Sequence, residues 1–347
     1  MTKTHHHPST IRENDLGPRE WNALATHPMQ SWEWGEVRKH EGKRIVRLIQ
    51  KDEQGNDAQV YLLTIHPIPF SPYAIGYVPK SFAPTLDLVN YLKPWAKKYG
   101  VIFIKFEPNI LKDEWKSIHV PRLIMSPHPL FTMWNQTLDI ARTEQELMAT
   151  MHPKTRYNIR LAQRKHVTTE VLNNEEGYQI FERLYFDTCM RQRYKGHIPA
   201  YHRNVWVILN ERQQSEYVSG QTGLQNHIIV ARYNAEPLAA YQLWQFKDTM
   251  YYVYGGSSDT HKNVMAPNLL MWEALLLAKQ LGCTRFDMWG SLPPNHNSSD
   301  PWAGFTKFKQ GYGTQFVQYA GSFDLVINLL LYKLYTTAHH IRQKIVL

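Results

Sequence analysis

From Arg44 onward the chain alternates short apolar runs with turn-forming residues. Arg44–Gln50 (RIVRLIQ) alternates loosely, and Gln59–Ile65 (QVYLLTI) is β-rich after the turn Glu53-Gln54-Gly55-Asn56-Asp57, so both read as strands. Pro67, Pro69 and Pro72 then break the chain. Asp87–Tyr99 carries apolar residues near helical spacing and stops at Gly100, with Pro94 placed to kink or divide it. Val101–Phe106 (VIFIKF) reads as a buried strand closed by Glu107-Pro108. After a polar segment, Thr143 is placed to cap a helix reaching Met151, with Glu146 three residues on. A basic helix begins at Pro153. Gly177–Arg191 and Tyr201–Arg212 read as helices, and His227–Tyr233, Ala239–Phe246 and Thr249–Tyr254 as strands. Asn268–Leu281 is the clearest helix, ended by Gly282 and followed by the strand Arg285–Met288. The block Asn268–Met288 repeats Asp87–Phe106 in kind: helix, glycine, short apolar strand. The pattern predicts two similar α/β units in tandem.

A chain of 347 residues suits one large or two medium domains, and 43% apolar content can bury a sizeable core. The net charge of +9 favours an anionic partner: nucleic acid, lipid headgroups or a phosphorylated substrate. Two cysteines, Cys189 and Cys283, far apart and in no metal-ligand spacing, argue against a disulfide framework and fit a reducing compartment. The polar N-terminus is not expected to be a signal peptide. Its His5, His6 and His7 read as a frayed end rather than a metal site. No apolar run is long enough to span a bilayer, so any membrane contact is expected to be peripheral.

Three segments could carry chemistry. In Lys154–His166 (KTRYNIRLAQRKH), Arg156, Arg160 and Arg164 recur at steps of four and share one helix face. Like charges at that spacing repel, so the face is either well solvated or paired with phosphates. Pro153 in the first turn leaves the amides beyond it open to an anion. In Tyr251–Ser258 (YYVYGGSS) an aromatic strand is expected to run into a Gly-Gly turn at Gly255 and Gly256, where backbone can approach a ligand closely. In Phe305–Gly313 (FTKFKQGYG), Lys307 and Lys309 flank Phe308 in an expected Gly-flexed loop, where a lysine could stabilise developing negative charge. A plain surface hairpin would read the same way. The segment His261–Pro267 leads into the Asn268 helix without a glycine, which suits coenzyme A pyrophosphate poorly. No GxSxG, HExxH, Walker loop or Cys/His nucleophile pattern is present, so neither covalent nor metal catalysis has sequence support.

Together, Gln30-Ser31-Trp32-Glu33-Trp34-Gly35, Ile104-Lys105-Phe106-Glu107-Pro108, Lys154-Thr155-Arg156-Tyr157-Asn158-Ile159-Arg160, Tyr254-Gly255-Gly256-Ser257-Ser258 and Phe308-Lys309-Gln310-Gly311-Tyr312-Gly313 resemble the FemABX family of peptidoglycan interpeptide-bridge aminoacyltransferases. The resemblance runs over most of the chain. It implies an α/β (α+β) fold of two tandem GNAT-like domains in the compact form, without a long coiled-coil arm. The first domain is expected over 1–147, completed by 321–347, and the second over 148–320.

The resemblance further implies that Lys309 stabilises the transition state. Glu107 and Tyr254 would line the acceptor site, with Phe308 beside them. Arg38 or Lys39, and Arg191 or Arg203, would contact the acceptor diphosphate. Lys154, Arg156, Arg160 and Arg164 are the expected tRNA contacts. Bulky Trp289, in Asp287-Met288-Trp289-Gly290, stands where the family commonly has a smaller residue, which leaves the acceptor pocket's shape open. The expected reaction is acyl transfer from aminoacyl-tRNA to a stem-peptide amine of lipid II or UDP-MurNAc-pentapeptide, with no cofactor and no metal. Glu107 would orient the amine or act as its base. A cytoplasmic monomer is expected. Phe323–Leu347 is expected to be a helix packed on the first domain, or else a peripheral contact with the inner membrane face. Two other readings stay open: a coenzyme A-dependent N-acyltransferase of the GNAT type, and a non-catalytic protein that binds tRNA or cell-wall precursor.

Overall fold

The computed structural model describes residues 11–118, 120–214 and 223–346. The histidines at positions 5 to 7 lie outside them. The chain divides into two units, Met1–Met133 with Gln318–Leu347, and Trp134–Val317.

In chain order the first unit contributes β1 (Ile11–Glu13), α1 (Pro18–Leu24), α2 (Trp32–His40), β2 (Arg44–Lys51), β3 (Asp57–Pro67), β4 (Ala74–Pro79), α3 (Leu86–Lys98), β5 (Val101–Glu107), α4 (Lys112–Trp115) and β6 (Leu123–Met125). The second opens with β7 (Trp134–Asp139), α5 (Glu144–Thr150), α6 (Pro153–Arg164), β8 (Thr168–Val171), α7 (Glu175–Gln192), α8 (Pro199–Gln214) and β9 (Gln225–Tyr233). It continues through β10 (Glu236–Phe246), β11 (Thr249–Ser257), α9 (Ala266–Gln280), β12 (Arg285–Ser291), α10 (Ala303–Gln310) and β13 (Gln315–Gln318). The chain then returns to the first unit as β14 (Phe323–Val326) and α11 (Leu329–Val346).

Each unit holds a seven-stranded sheet, in the orders β1-β2-β3-β4-β5-β14-β6 and β8-β9-β10-β11-β12-β7-β13. The expected repeat is a pair of parallel crossovers, β4–α3–β5 and β11–α9–β12. Read position by position, the two orders match except that the sixth place is filled out of sequence. β14, made last, pairs antiparallel with β5; β7, made before the second unit's helices, pairs antiparallel with β12. The units thus exchange one strand each. This exchange moves the boundary to Trp134: a division at 147 would fall inside α5 and would separate β7 from its own sheet. The chain leaves the second unit after Val317, not at 320.

Local chemistry explains the elements. Thr143 and Glu146 form the expected reciprocal cap of α5. Thr85 caps α3 by accepting from the Leu88 amide. Pro94 does not divide α3, because Asn90 and Pro94 lie on its exposed side, where water can satisfy the carbonyl left without a donor. The core of the first unit packs Leu88, Val89, Leu92 and Ala96 of α3 on Val101, Ile104 and Phe106. In the second, α9 packs Leu270, Ala274 and Leu275 on Leu243, Met250 and Phe286. The longest helices among the described residues, α7 and α11, have 18 residues, so no long helical arm is present there.

Two sequence expectations change. Phe323–Val326 is a strand rather than the start of a helix. Gly255 and Gly256 lie within β11, paired with Tyr241 and Ala240, and form no turn. A Cβ on Gly256 would meet the Leu184 carbonyl oxygen at 2.3 Å and the Tyr185 nitrogen at 2.4 Å. What this glycine admits closely is the backbone of α7, not a ligand.

Candidate active site

In the first unit, Glu107 ends β5 and is buried. Its Oε1 accepts from the Leu130 amide at 2.7 Å, the Phe131 amide at 3.1 Å and the Ser322 hydroxyl. Its Oε2 accepts from the Tyr77 hydroxyl at 2.5 Å. A carboxylate offers about four acceptor positions, so Oε2 retains the remaining capacity. That remaining capacity can accept a hydrogen bond from an amine and so orient it.

Beside it lies a small cleft lined by Lys80, Phe131, Thr132, Tyr319 and Ser322. Lys80 is buried, follows β4 at φ 46°, and places Nζ 4.9 Å from the Phe131 ring centre and 4.6 Å from that of Tyr319. Positive φ on a long side chain costs energy and marks a position held by its surroundings. Sequence reasoning missed Lys80; its only signal is a lysine directly after a strand-ending proline. It also missed Lys105, which pairs with Asp324 at 3.0 Å, while the Tyr332 hydroxyl donates to the other Asp324 oxygen at 2.9 Å. That chain of contacts fastens β14 and α11 onto β5. Arg38 is partly buried and paired with Glu41 at 2.5 Å, whereas Lys39 is exposed.

In the second unit, Lys309 sits on α10, not in a Gly-flexed loop. It is fully buried, and Nζ donates to the Gly290 carbonyl at 2.6 Å. Burial drives its pKa well below the usual lysine value, and the Asp287 carboxylate only partly opposes this. Its ammonium position faces the Phe305 ring at 3.8 Å. Phe308, expected beside the acceptor, packs instead against Tyr312 and the core. Lys307 is exposed.

Gly290 belongs to a distortion of β12. The β11–β12 ladder holds only from Thr249↔Arg285 to Tyr251↔Asp287, and beyond it the strands part. In the first unit the equivalent β4–β5 ladder runs to Pro79↔Glu107. At the parting, Trp289 takes φ 64° and its amide donates to Asp287 Oδ1 at 2.6 Å, while Asn135 donates to both Asp287 oxygens. A left-handed backbone is unfavourable for a side chain this bulky, which explains why a smaller residue suits this place. Edge-on packing against Trp244 and Tyr251 holds the indole. Trp244 in turn meets Tyr254, whose hydroxyl lies 3.1 Å from that of Tyr201. Burial raises the Tyr254 pKa well above the usual phenol value.

The family-like segments are neighbours in space. The His152 amide donates to the Gly311 carbonyl at 2.9 Å. A Cβ on Gly311 would meet Thr155 Oγ1 at 2.4 Å, and one on Gly313 would meet Thr150 Oγ1 at 2.7 Å. The Tyr312 hydroxyl donates to the Asn268 carbonyl at 3.0 Å, and Asn158 reaches the Asn268 side chain at 3.4 Å. The glycines therefore serve close packing of α10 on α5 and α6, which ties the basic helix to the lysine.

On α6 the arginine stripe divides. Arg156 Nη1 donates to the Met151 carbonyl at 2.5 Å and to that of Ala149 at 3.3 Å, capping α5. Lys154, Arg160 and Arg164 are exposed. Arg191 donates to the Ser257 carbonyl at 3.0 Å, and Arg203 pairs with Glu175 at 2.6 Å. At the segment leading into α9, Glu236 and Asp259 pair with His261 and Lys262. The cationic groups of that segment are thus already engaged with carboxylates. The described residues hold no cluster suited to a metal, and no helix among them is long and apolar enough to cross a membrane.

The chain is 23% identical to a lipid II:glycine glycyltransferase of Staphylococcus epidermidis, over 90% of this chain and 91% of that protein. The crystal structure of FemX superposes with a TM-score of 0.79 at 18% identity, covering 93% of this chain and 99% of that one. A tandem GNAT protein from the clavulanic acid biosynthesis pathway gives 0.51 at 10% identity, over 92% and 98% of the two chains. The fold is that of two GNAT-like domains. The profile of the FemAB family matches residues 127–218 and 208–340, more than half of the sequence and the whole stretch that holds α6, the parted strands and Lys309, and the chain belongs to that family.

Proposed function

We propose that the protein transfers an amino acid from aminoacyl-tRNA to the stem-peptide amine of a peptidoglycan precursor, lipid II or its nucleotide-linked counterpart. The observation that carries this reading is the buried Lys309 at the parted end of β11 and β12, in the same unit as the exposed Lys154, Arg160 and Arg164. The relatives named lipid II:glycine glycyltransferases support the acceptor class.

The neutral amine attacks the ester carbonyl and forms a tetrahedral adduct. Its carbon–oxygen ester bond then breaks, the terminal ribose hydroxyl leaves, and the proton shed by the amine ends on that oxygen. The ester is already activated, so positioning and oxyanion stabilisation suffice; these supply roughly 7–11 kcal/mol and about 2.7–4 kcal/mol respectively. Lys309 donates to the oxyanion and Glu107 Oε2 orients the amine. Lys154, Arg160 and Arg164 hold tRNA phosphates; Arg38 or Lys39, with Arg191 or Arg203, hold the acceptor diphosphate. Tyr254 lines the acceptor. The glycine-free entry to α9, with its cationic groups already paired to Glu236 and Asp259, disfavours the coenzyme A alternative.

The deciding experiment mixes the protein with charged tRNAs and either lipid-linked or nucleotide-linked stem peptide. A product heavier by one aminoacyl residue is expected. Unchanged acceptor with every tRNA would overturn the reading.

A further inference from the structure

We propose that the end of the first unit where β5 begins is a docking surface for an anionic phospholipid bilayer. Four connections meet there. Arg44 pairs with Ile65, which brings the α2–β2 loop beside the β3–β4 turn. The Ala74 amide donates to the Gly100 carbonyl at 3.0 Å, joining that turn to the α3–β5 loop. The Ile327 and Asn328 amides both donate to the Ile102 carbonyl at 3.0 Å, so α11 starts at the same place.

The β3–β4 turn is built to present one ring. Pro67, Pro69 and Pro72 stiffen it, the Ile68 amide donates to the Tyr73 carbonyl at 2.9 Å, and Ser71 Oγ donates to the Ile68 carbonyl at 3.0 Å. At its tip Phe70 stands fully exposed at φ 60°. Tyr73, Tyr99, Leu329 and Leu330 are exposed around the same end. Leu330 and Leu334 are exposed on one side of the first turns of α11, while Tyr332 and Tyr335 pack inward on Phe103. A lone exposed Leu needs no explanation, but a stiff loop presenting Phe beside a leucine stripe does.

Charge selects the occupant. Lys39, Arg44, Lys97 and Lys98 are exposed at this end, with Arg44 stacked 4.1 Å from the Tyr99 ring centre. Within residues 38–44, 66–74, 97–101 and 327–335 the one carboxylate is Glu41, and Arg38 holds it. Aromatic and leucine side chains inside a basic fringe match the boundary of an anionic bilayer, where rings enter the headgroup layer and lysines meet phosphates. An acidic protein would match the charge as well, but the fully exposed Phe70 ring and the leucines favour the bilayer, which also takes up apolar side chains. Glu107 lies at the far end of β5, about 20 Å away. A lipid-borne acceptor could keep its diphosphate at the fringe, by Arg38 or Lys39, while its stem peptide reaches up to the cleft. The purpose of the surface, though not its physics, rests on the transferase reading above.

Sucrose flotation of the full chain with phosphatidylcholine vesicles, with and without phosphatidylglycerol, tests it. The protein should float with the anionic vesicles only, and added salt should weaken the binding. Phe70→Ser with Leu330→Ser should lower the bound fraction about tenfold or more. Lys97→Glu with Lys98→Glu should do likewise, and Val171→Ser, an exposed apolar site in the second unit, should change nothing. Thermal melts matching the parent exclude misfolding of these surface variants. A parent that stays at the bottom, or a Phe70/Leu330 variant that floats like it, overturns the proposal. Flotation without any transfer to either the lipid-linked or the nucleotide-linked acceptor would sink the transferase reading and leave this surface standing.

Discussion

Lys309→Met is the substitution that most directly separates chemistry from architecture. The two side chains are similar in length and volume, so packing under Phe305 is retained. What is lost is the 2.6 Å bond from Nζ to the Gly290 carbonyl. A buried acceptor left without its donor costs about 1–3 kcal/mol. Against that, methionine carries no amine that must give up its charge on burial, and each unit of pKa depression represents about 1.4 kcal/mol. The two effects oppose each other in the net change in stability. Turnover should behave differently: loss of one oxyanion donor lowers it about 100- to 1,000-fold. Single-turnover formation of the aminoacylated acceptor, beside acceptor titrations, reads the two effects apart. Acceptor affinity should hold while the rate falls. A rate within threefold of the parent would refute the assignment and return Lys309 to a structural role. The pH dependence of stability gives a second reading. The unfolded chain binds a proton at Lys309 up to about pH 10.5, whereas the folded chain releases it well below that. The penalty on the parent is thus full below the folded pKa and disappears as pH rises from there toward the unfolded value. The parent should gain on the Met variant in chemical denaturation between pH 7 and pH 10.

Phe305→Ala should open a path for water to Lys309 and move its pKa up toward the ordinary lysine value, readable from the side-chain nitrogen shift by NMR; an unmoved titration would mean that Phe305 is no cover. Arg160→Ala with Arg164→Ala should reduce the slope of log affinity for tRNA against log salt by about 1.4–1.8, the share of two phosphate contacts. Arg156→Ala should leave that slope unchanged and instead lower the melting temperature, since Arg156 caps α5; the opposite pattern would reverse their roles. His202 is fully buried, with neither ring nitrogen hydrogen-bonded among the described residues, and burial, then His197, lower its pKa to about 3. Between the unfolded value near 6.5 and that point the unfolded chain binds the extra proton, so stability falls with falling pH, by about 2 kcal/mol at pH 5. His202→Phe should flatten the melting curve over pH 7 to 5, and an unchanged slope would show that other groups set the acid limit.

The parts of this fold that were legible in the sequence are those whose signals are local. Thr143 and Glu146 announce their own cap, and Gly100 and Gly282 end α3 and α9 where the chain turns into β5 and β12. The glycines of Phe308–Gly313 misled, because a glycine needed for close packing on Thr155 and one needed for a flexible loop look alike in sequence. Gly255 and Gly256 misled for the same reason. Lys309 could be singled out by its surroundings in the chain, but its burial and its Gly290 partner depend on a bulge in β12 that no local pattern encodes. Arg156 and Arg160 are indistinguishable on a helical wheel; only the end of α5 tells them apart. Lys80 had no signal strong enough to find, since its aromatic neighbours come from residues 131 and 319.

The exchanged strands have a consequence for how the protein is made. At the ribosome β5 emerges about two hundred residues before β14, the strand that completes its sheet, which at 5–20 residues per second is a wait of roughly 10–40 s. Through that interval the nascent first unit carries an open β5 edge, an invitation to pair with other chains. A premature stop between Gln318 and Phe323 would leave the second unit complete and deprive the first of its strand.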